Sequence, residues 1–172
     1  MMKQVRIAAF LGGVSTVLMA PAAMAADANG TASITVRQPV ALTNTTDLAF
    51  GTVDAPTDAT TTLTVATDGS TSTSGGNGAF ATGEAAGVVT IAAENGQTIA
   101  LSATPSTCTG ASGVALTTIT GNYNGTAFDS SSANTATFNS AATTIDVGGS
   151  VTVDVGTTGA ATCAYTVTVN YN

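Results

Sequence analysis

The side chains able to do chemistry are few and almost all of one kind. Ten carboxylates (Asp27, Asp47, Asp54, Asp58, Asp68, Glu84, Glu94, Asp129, Asp146 and Asp154) stand against three cations, Lys3, Arg6 and Arg37, and no histidine. Two carboxylates held a few ångströms apart can act as general acid and base, as in glycoside hydrolysis. A sugar site also wants aromatic platforms, and the chain has no tryptophan and only 5% aromatic residues. Without an imidazole no serine or cysteine has its usual base, and no lysine follows Lys3. The expectation is no catalytic residue and no enzymatic activity.

Hard oxygen ligands also bind calcium, and Asp54 with Asp58, or Asp146 with Asp154, could converge on such an ion. Neither spacing matches the twelve-residue calcium loop, and Ser74-Gly-Gly-Asn-Gly-Ala79 lacks the aspartate of glycine-rich calcium repeats. Solvated surface carboxylates, with no metal and no cofactor, are expected. Asn29-Gly-Thr31, Asn44-Thr-Thr46 and Asn124-Gly-Thr126 fit the acceptor pattern for N-glycosylation and are read as turn chemistry. Cys108 and Cys163 are the only cysteines. In an oxidising compartment they read as one disulfide, since a reactive thiol would need neighbouring cations that are scarce here.

The compartment follows from the N-terminus. Lys3 and Arg6 precede the apolar run Ile7–Met19, and Ala23-Met-Ala25 closes the stretch as a small-x-small site. That layout predicts a cleaved signal peptide over 1–25 and export, through a periplasm and on to the cell surface or medium. The run is shorter than a bilayer span requires. With the signal removed, Arg37 is the one cation left, so nucleic acid and direct membrane binding are excluded as primary roles.

Residues 26–172 are expected to form a single all-β domain. The strands expected are Ala32–Val36, Pro39–Leu42, Leu48–Val53, Thr61–Val65, Gly87–Ala92, Thr98–Ser102, Val114–Thr120, Ala136–Phe138, Thr144–Val147 and Val151–Val155. Asn44–Asp47 reads as a turn, Asp68–Gly78 as an exposed loop, Glu94-Asn-Gly-Gln97 as a hairpin and Gly148-Gly-Ser150 as a tight connection. The last strand is the clearest: Cys163, Tyr165, Val167, Val169 and Tyr171 share one face, with Ala164, Thr166, Thr168 and Asn170 on the other. Short strands between frequent turns predict an antiparallel β-sandwich.

Ile34-Thr-Val36, Pro39–Leu42, Asp47-Leu-Ala-Phe-Gly-Thr-Val53 and the ending Tyr165–Asn172 together resemble the DUF4402 family of small exported bacterial β proteins. A narrower resemblance is to chaperone–usher pilins, which carry a tyrosine second from the end and a glycine fourteenth from it, the places of Tyr171 and Gly159. The pilin resemblance implies an immunoglobulin-like sandwich short of one strand, completed first by a periplasmic chaperone and then by the next subunit. On that likeness Gly159, Tyr165, Val167, Val169 and Tyr171 form the acceptor and chaperone-binding edge, and Ala32, Ile34 and Val36 the donor strand. Head-to-tail self-association into a fimbria, with an adhesive role, would follow. The alternative is a self-contained monomeric β-sandwich, with Ala32–Val36 its first strand, that binds a partner without polymerising.

Overall fold

A computed structural model of the chain describes residues 28–172, and the signal peptide expected over 1–25 lies outside the described residues. Contacts divide the chain into a unit ending at Thr35 and a unit spanning Val36–Asn172. Residues 28–35 of the first are exposed and belong to no helix or strand. The strand expected at Ala32–Val36 is therefore not formed; Ile34 is 88% exposed and Val36 83%. Alternating apolar residues make a segment competent to be a strand, but a strand exists only where an edge takes up its backbone hydrogen bonds.

The second unit is all β. Its larger sheet contains β1 (Ala41–Thr46), β3 (Thr61–Val65), β4 (Thr71–Gly75), β6 (Gly87–Ala92), β8 (Val114–Tyr123), β9 (Thr126–Asp129) and β11 (Thr144–Val153). A second sheet orders β10 (Asn134–Thr137), β7 (Thr98–Gly110) and β12 (Ala161–Tyr171), and β2 (Ala49–Asp54) pairs with β5 (Ala79–Ala85) as a separate ribbon. Every ladder is antiparallel. Ile91, Ile99, Leu101, Ile119, Ile145 and Val147, all 1% exposed or less, come from β6, β7, β8 and β11 and belong to one packed cluster. The expected antiparallel sandwich with one disulfide is what the chain builds.

Four local expectations are corrected. Gly148-Gly-Ser150 is no connection: Thr144–Val153 is one continuous strand, β11. One edge of β11 pairs with β8 from Asp146 to Val153, while the other pairs with β6 as far as Val147 and with β3 from Gly149. The glycines sit where the sheet forks. A Cβ on Gly148 would come within 2.5 Å of the Val65 carbonyl oxygen, and one on Gly149 within 2.8 Å of that of Thr118. Bare backbone is what lets three strands converge there.

The hairpin expected at Asn95-Gly96 is a crossover between sheets, since β6 joins the larger sheet and β7 the smaller. Only Gly96 takes a positive φ there, whereas Asn124 and Gly125 have φ of 48° and 83° and turn β8 into β9. Two positive φ values are what a two-residue hairpin turn needs. Asn44–Thr46 belongs to β1 rather than to a turn, with the Asn44 amide donating to the Asp47 carboxylate just beyond. The expected loop Asp68–Gly78 contains β4, an exposed Ser/Thr strand along β3. Composition misleads there because a polar edge strand needs no apolar face.

Candidate functional site: the groove beside β12

β12 has the alternation its sequence predicts. Cys163, Tyr165, Val167 and Tyr171 are half-buried and Val169 is 6% exposed, while Thr162, Ala164, Thr166, Thr168 and Asn170 face solvent. One edge of β12 pairs with β7 from Ala161↔Gly110 to Tyr171↔Ile99. Its other edge carries no ladder among the described residues. β1, paired with β6 alone, likewise ends the larger sheet. The bulge in the β7–β12 ladder falls opposite Cys163–Tyr165 and is absorbed by β7, where Pro105 sits. Proline has no N–H to lose at such a place. β12 thus keeps an unbroken period of two along an open edge.

Between this edge and the strands β1 and β2 runs a groove of mixed apolar and polar lining. Its wider part, about 680 Å³, is lined by Phe50, Val53, Leu116, Val151, Val153 and Tyr165 among others, and by no charged side chain. Its narrower part, about 420 Å³, lies between Leu42 and Asp47 on one side and Cys163–Val167 on the other. Cys163 and Tyr165 border both parts. The wider part touches both the main core and a smaller cluster of Leu63, Val151 and Val153, with Phe50 packed against each. Apolar surface left open in this way is a place for a partner's side chains.

Past Val167, where the groove's lining on β12 stops, Tyr171 makes a cross-link of its own. Its hydroxyl donates to the Gln38 carbonyl at 2.6 Å and accepts from the Glu94 N–H at 2.7 Å. That one oxygen ties β12 to the residues leading into β1 and to the crossover after β6. Toward the middle, the Tyr165 hydroxyl is buried and makes no hydrogen bond. Burial pushes its pKa above the ordinary 10.0; the neighbouring Leu48 N–H, close but not aligned for a hydrogen bond, opposes the shift, and the Asp47 carboxylate adds to it. A neutral phenol therefore floors the groove at any ordinary pH.

The disulfide expected between Cys108 and Cys163 is present, joining directly paired residues of β7 and β12. Gly159 lies before β12 rather than in it, with a φ of 102° that favours glycine, and borders the wider part of the groove. Of the acceptor residues named from the sequence, Tyr165 and Val167 line the groove, whereas Tyr171 lies beyond its lining and Val169 is sealed in the core. The β2 wall, Phe50 and Val53, is not legible in the same way. Its alternation is visible, but the pattern of one strand does not say which other strand it will face.

Asp146 and Asp154 do not converge. Asp146 and Asp154 lie near opposite ends of β11, roughly 26 Å apart along an extended chain. Asp58 accepts from the Ala59 and Asn77 N–H groups, and Asp154 from the Thr60 hydroxyl. Among the described residues no three of His, Cys, Asp and Glu cluster.

The family model described as a domain of unknown function (DUF4402) matches residues 40–171, so the chain belongs to that family. The matched span contains all twelve strands. No curated protein and no solved structure matches the chain.

Proposed function

We propose that this protein is a non-catalytic structural subunit of a bacterial surface fimbria or similar extracellular assembly, exported and then polymerised head to tail by strand donation. The observation that carries the reading is the open edge of β12 beside a groove with apolar side chains in its walls, in a chain that also holds an exposed, strandless segment with alternating apolar residues. Ile34 and Val36 are 88% and 83% exposed. Burying each in a neighbour's groove would contribute roughly 1.5–3 kcal/mol, before the backbone hydrogen bonds along β12 are added. An open sheet edge is an aggregation hazard, so a periplasmic chaperone that covers β12 before assembly, with an usher to release it, belongs to the same reading. An adhesive role would reside in the exposed loops and edges away from the groove.

A second reading, a self-contained monomer that binds a partner without polymerising, has its own support: Ile99, Leu101, Ile119 and Ile145 are 0% exposed without any donated strand. Ile34→Asp separates the two. In the polymer reading the wild-type chain sediments as oligomers, while the variant stays folded and disulfide-bonded yet monomeric. A wild-type chain that is strictly monomeric at every concentration and melts at high temperature would sink strand donation.

A further inference from the structure

The groove is not uniform along its length, and neither is the segment that would fill it. From the disulfide end toward Tyr171 it narrows from a hollow of about 680 Å³ to one of about 420 Å³. On β12 the lining stops at Val167; beyond it Val169 is sealed in the core and the Tyr171 hydroxyl bonds Gln38 and Glu94. The exposed segment tapers too. Read backwards from Val36, every second residue is Val36, Ile34, Ala32 and Gly30, two branched side chains, then a methyl, then none. Residues Ala28–Val36 carry no charge, like the lining of the wider part, and Arg37 follows them directly.

Resting on the strand-donation reading above, we propose that the segment comes from a second copy of this chain and lies antiparallel to β12, with Val36 opposite Cys163, Ile34 opposite Tyr165, Ala32 opposite Val167 and Gly30 opposite Val169. In this register the two branched side chains meet the larger hollow, Ala32 meets the smaller one and Gly30 lies past it. Opposed residues of neighbouring strands point to the same side, so all four face inward with the inward face of β12. Ser33 and Thr35 then fall opposite the exposed Thr166 and Ala164. The reversed direction would drive Val36 toward the narrow end and leave only Ala32 and Gly30 beside the wide hollow, a poorly packed arrangement.

The same direction carries Arg37 out at the mouth of the groove. Val53 and Val153 line the wider part, and each is followed by an exposed aspartate, Asp54 and Asp154. Arg37 is the only cation among residues 28–172, all the rest of the ionised side chains there being carboxylates. A lone cation delivered to an acidic rim steers the encounter and sets the register, and salt weakens it. At the opposite end the carboxylate to be met is Glu94, whose Oε2 is buried.

Four full-chain variants test this against the wild type under oxidising conditions. Thr35→Cys/Ala164→Cys is expected to form a disulfide between copies, because opposed residues of neighbouring antiparallel strands lie within disulfide reach. Thr35→Cys/Thr168→Cys, the pair that the reversed direction would bring together, is expected not to. Ala32→Val/Val36→Ala keeps the composition but inverts the taper, and should weaken assembly roughly tenfold or more in sedimentation. Arg37→Glu should weaken assembly and reverse its salt dependence, because salt would then screen a repulsion from the aspartates. Cross-linking through Thr168 instead of Ala164, or an inverted-taper variant that assembles as well as wild type, overturns the register while leaving strand donation standing. A salt-independent wild type that Arg37→Glu matches overturns the charge contact, and a wild type that never assembles removes both the register and the function on which it rests.

Discussion

Replacing both cysteines, Cys108→Ala/Cys163→Ala, should cost this domain much of its stability and should loosen the groove before anything else. The bond closes a stretch with a sequence separation of 55 residues. On the chain-entropy relation a loop of that size is worth about 4 kcal/mol at 25 °C, most of it from limiting the unfolded chain. A domain of this size loses roughly 3–4 °C of Tm per kcal/mol, so a fall of about 12–16 °C is expected. Little native packing leaves with the sulfurs, because both cysteines are only partly buried and lie at the margin of the core. The assay is urea unfolding at 25 °C of the oxidised wild type, the reduced wild type and the double variant. The last two should share one midpoint. Native-state hydrogen exchange should then show protection lost first at Ala161–Tyr165, where the ladder to β7 is bulged and the other edge of β12 is open. A loss below about 1 kcal/mol, or protection lost evenly across both sheets, would refute the account of the bond as the anchor of this edge.

Two further outcomes are expected of the chain itself. Tyr171→Phe keeps the ring but removes the hydroxyl that serves both Gln38 and Glu94. The exposed Gln38 carbonyl can turn to water and the half-buried Glu94 N–H cannot, so unfolding free energy should fall by about 1–3 kcal/mol, and an unchanged urea midpoint would show the clasp to be idle. Acid should also destabilise the fold. Hydrogen bonds from Asn77 and Ala59 to Asp58, from Ser70 to Asp68, and from Ser131 and Ser132 to Asp129 hold these carboxyls below their ordinary 3.8. Groups with depressed folded pKa values stabilise above the unfolded pKa and lose that contribution as pH falls through the folded one. Stability measured by urea titration should therefore decline below pH 3.8, and a Tm that is flat from pH 5 to pH 2 would contradict it.

The sequence made the strands legible where a period of two ran through apolar and β-branched residues. Thr61–Val65 and Gly87–Ala92 have the bounds their patterns predict, and β12 faces as its alternation requires. What stayed hidden were decisions taken between strands. Gly148-Gly149 has the local look of a turn, and only the converging backbones of Val65 and Thr118 explain it as mid-strand. Asn95-Gly96 and Asn124-Gly125 are the same dipeptide, yet one links the two sheets and the other closes a hairpin, because the partner of the strand that follows decides which. Of the groove, the β12 side can be read from residue types, since Tyr165, Val167 and Tyr171 follow from alternation. The β2 side cannot, because its partner β5 (Ala79–Ala85) is not among the expected strands, and the pattern of β2 alone names neither its partner nor the sheet it will face.

The fork in the larger sheet sets an order of events for the chain. β11 is the sole link among β3, β6 and β8 in that sheet, joining Val65 to Gly149, Val89 to Ile145 and Ile119 to Gly149. All three partners precede it, so a chain emerging from its N-terminus can make the β3–β4, β1–β6 and β8–β9 pairings early but has no means of joining them until residue 153 is free. Loop closure over such separations is slow to nucleate, and a fragment stopped short of β11 exposes three unsatisfied edges. Consolidation of the larger sheet thus waits on the arrival of one late strand, and its three earlier pairings stay separate until then.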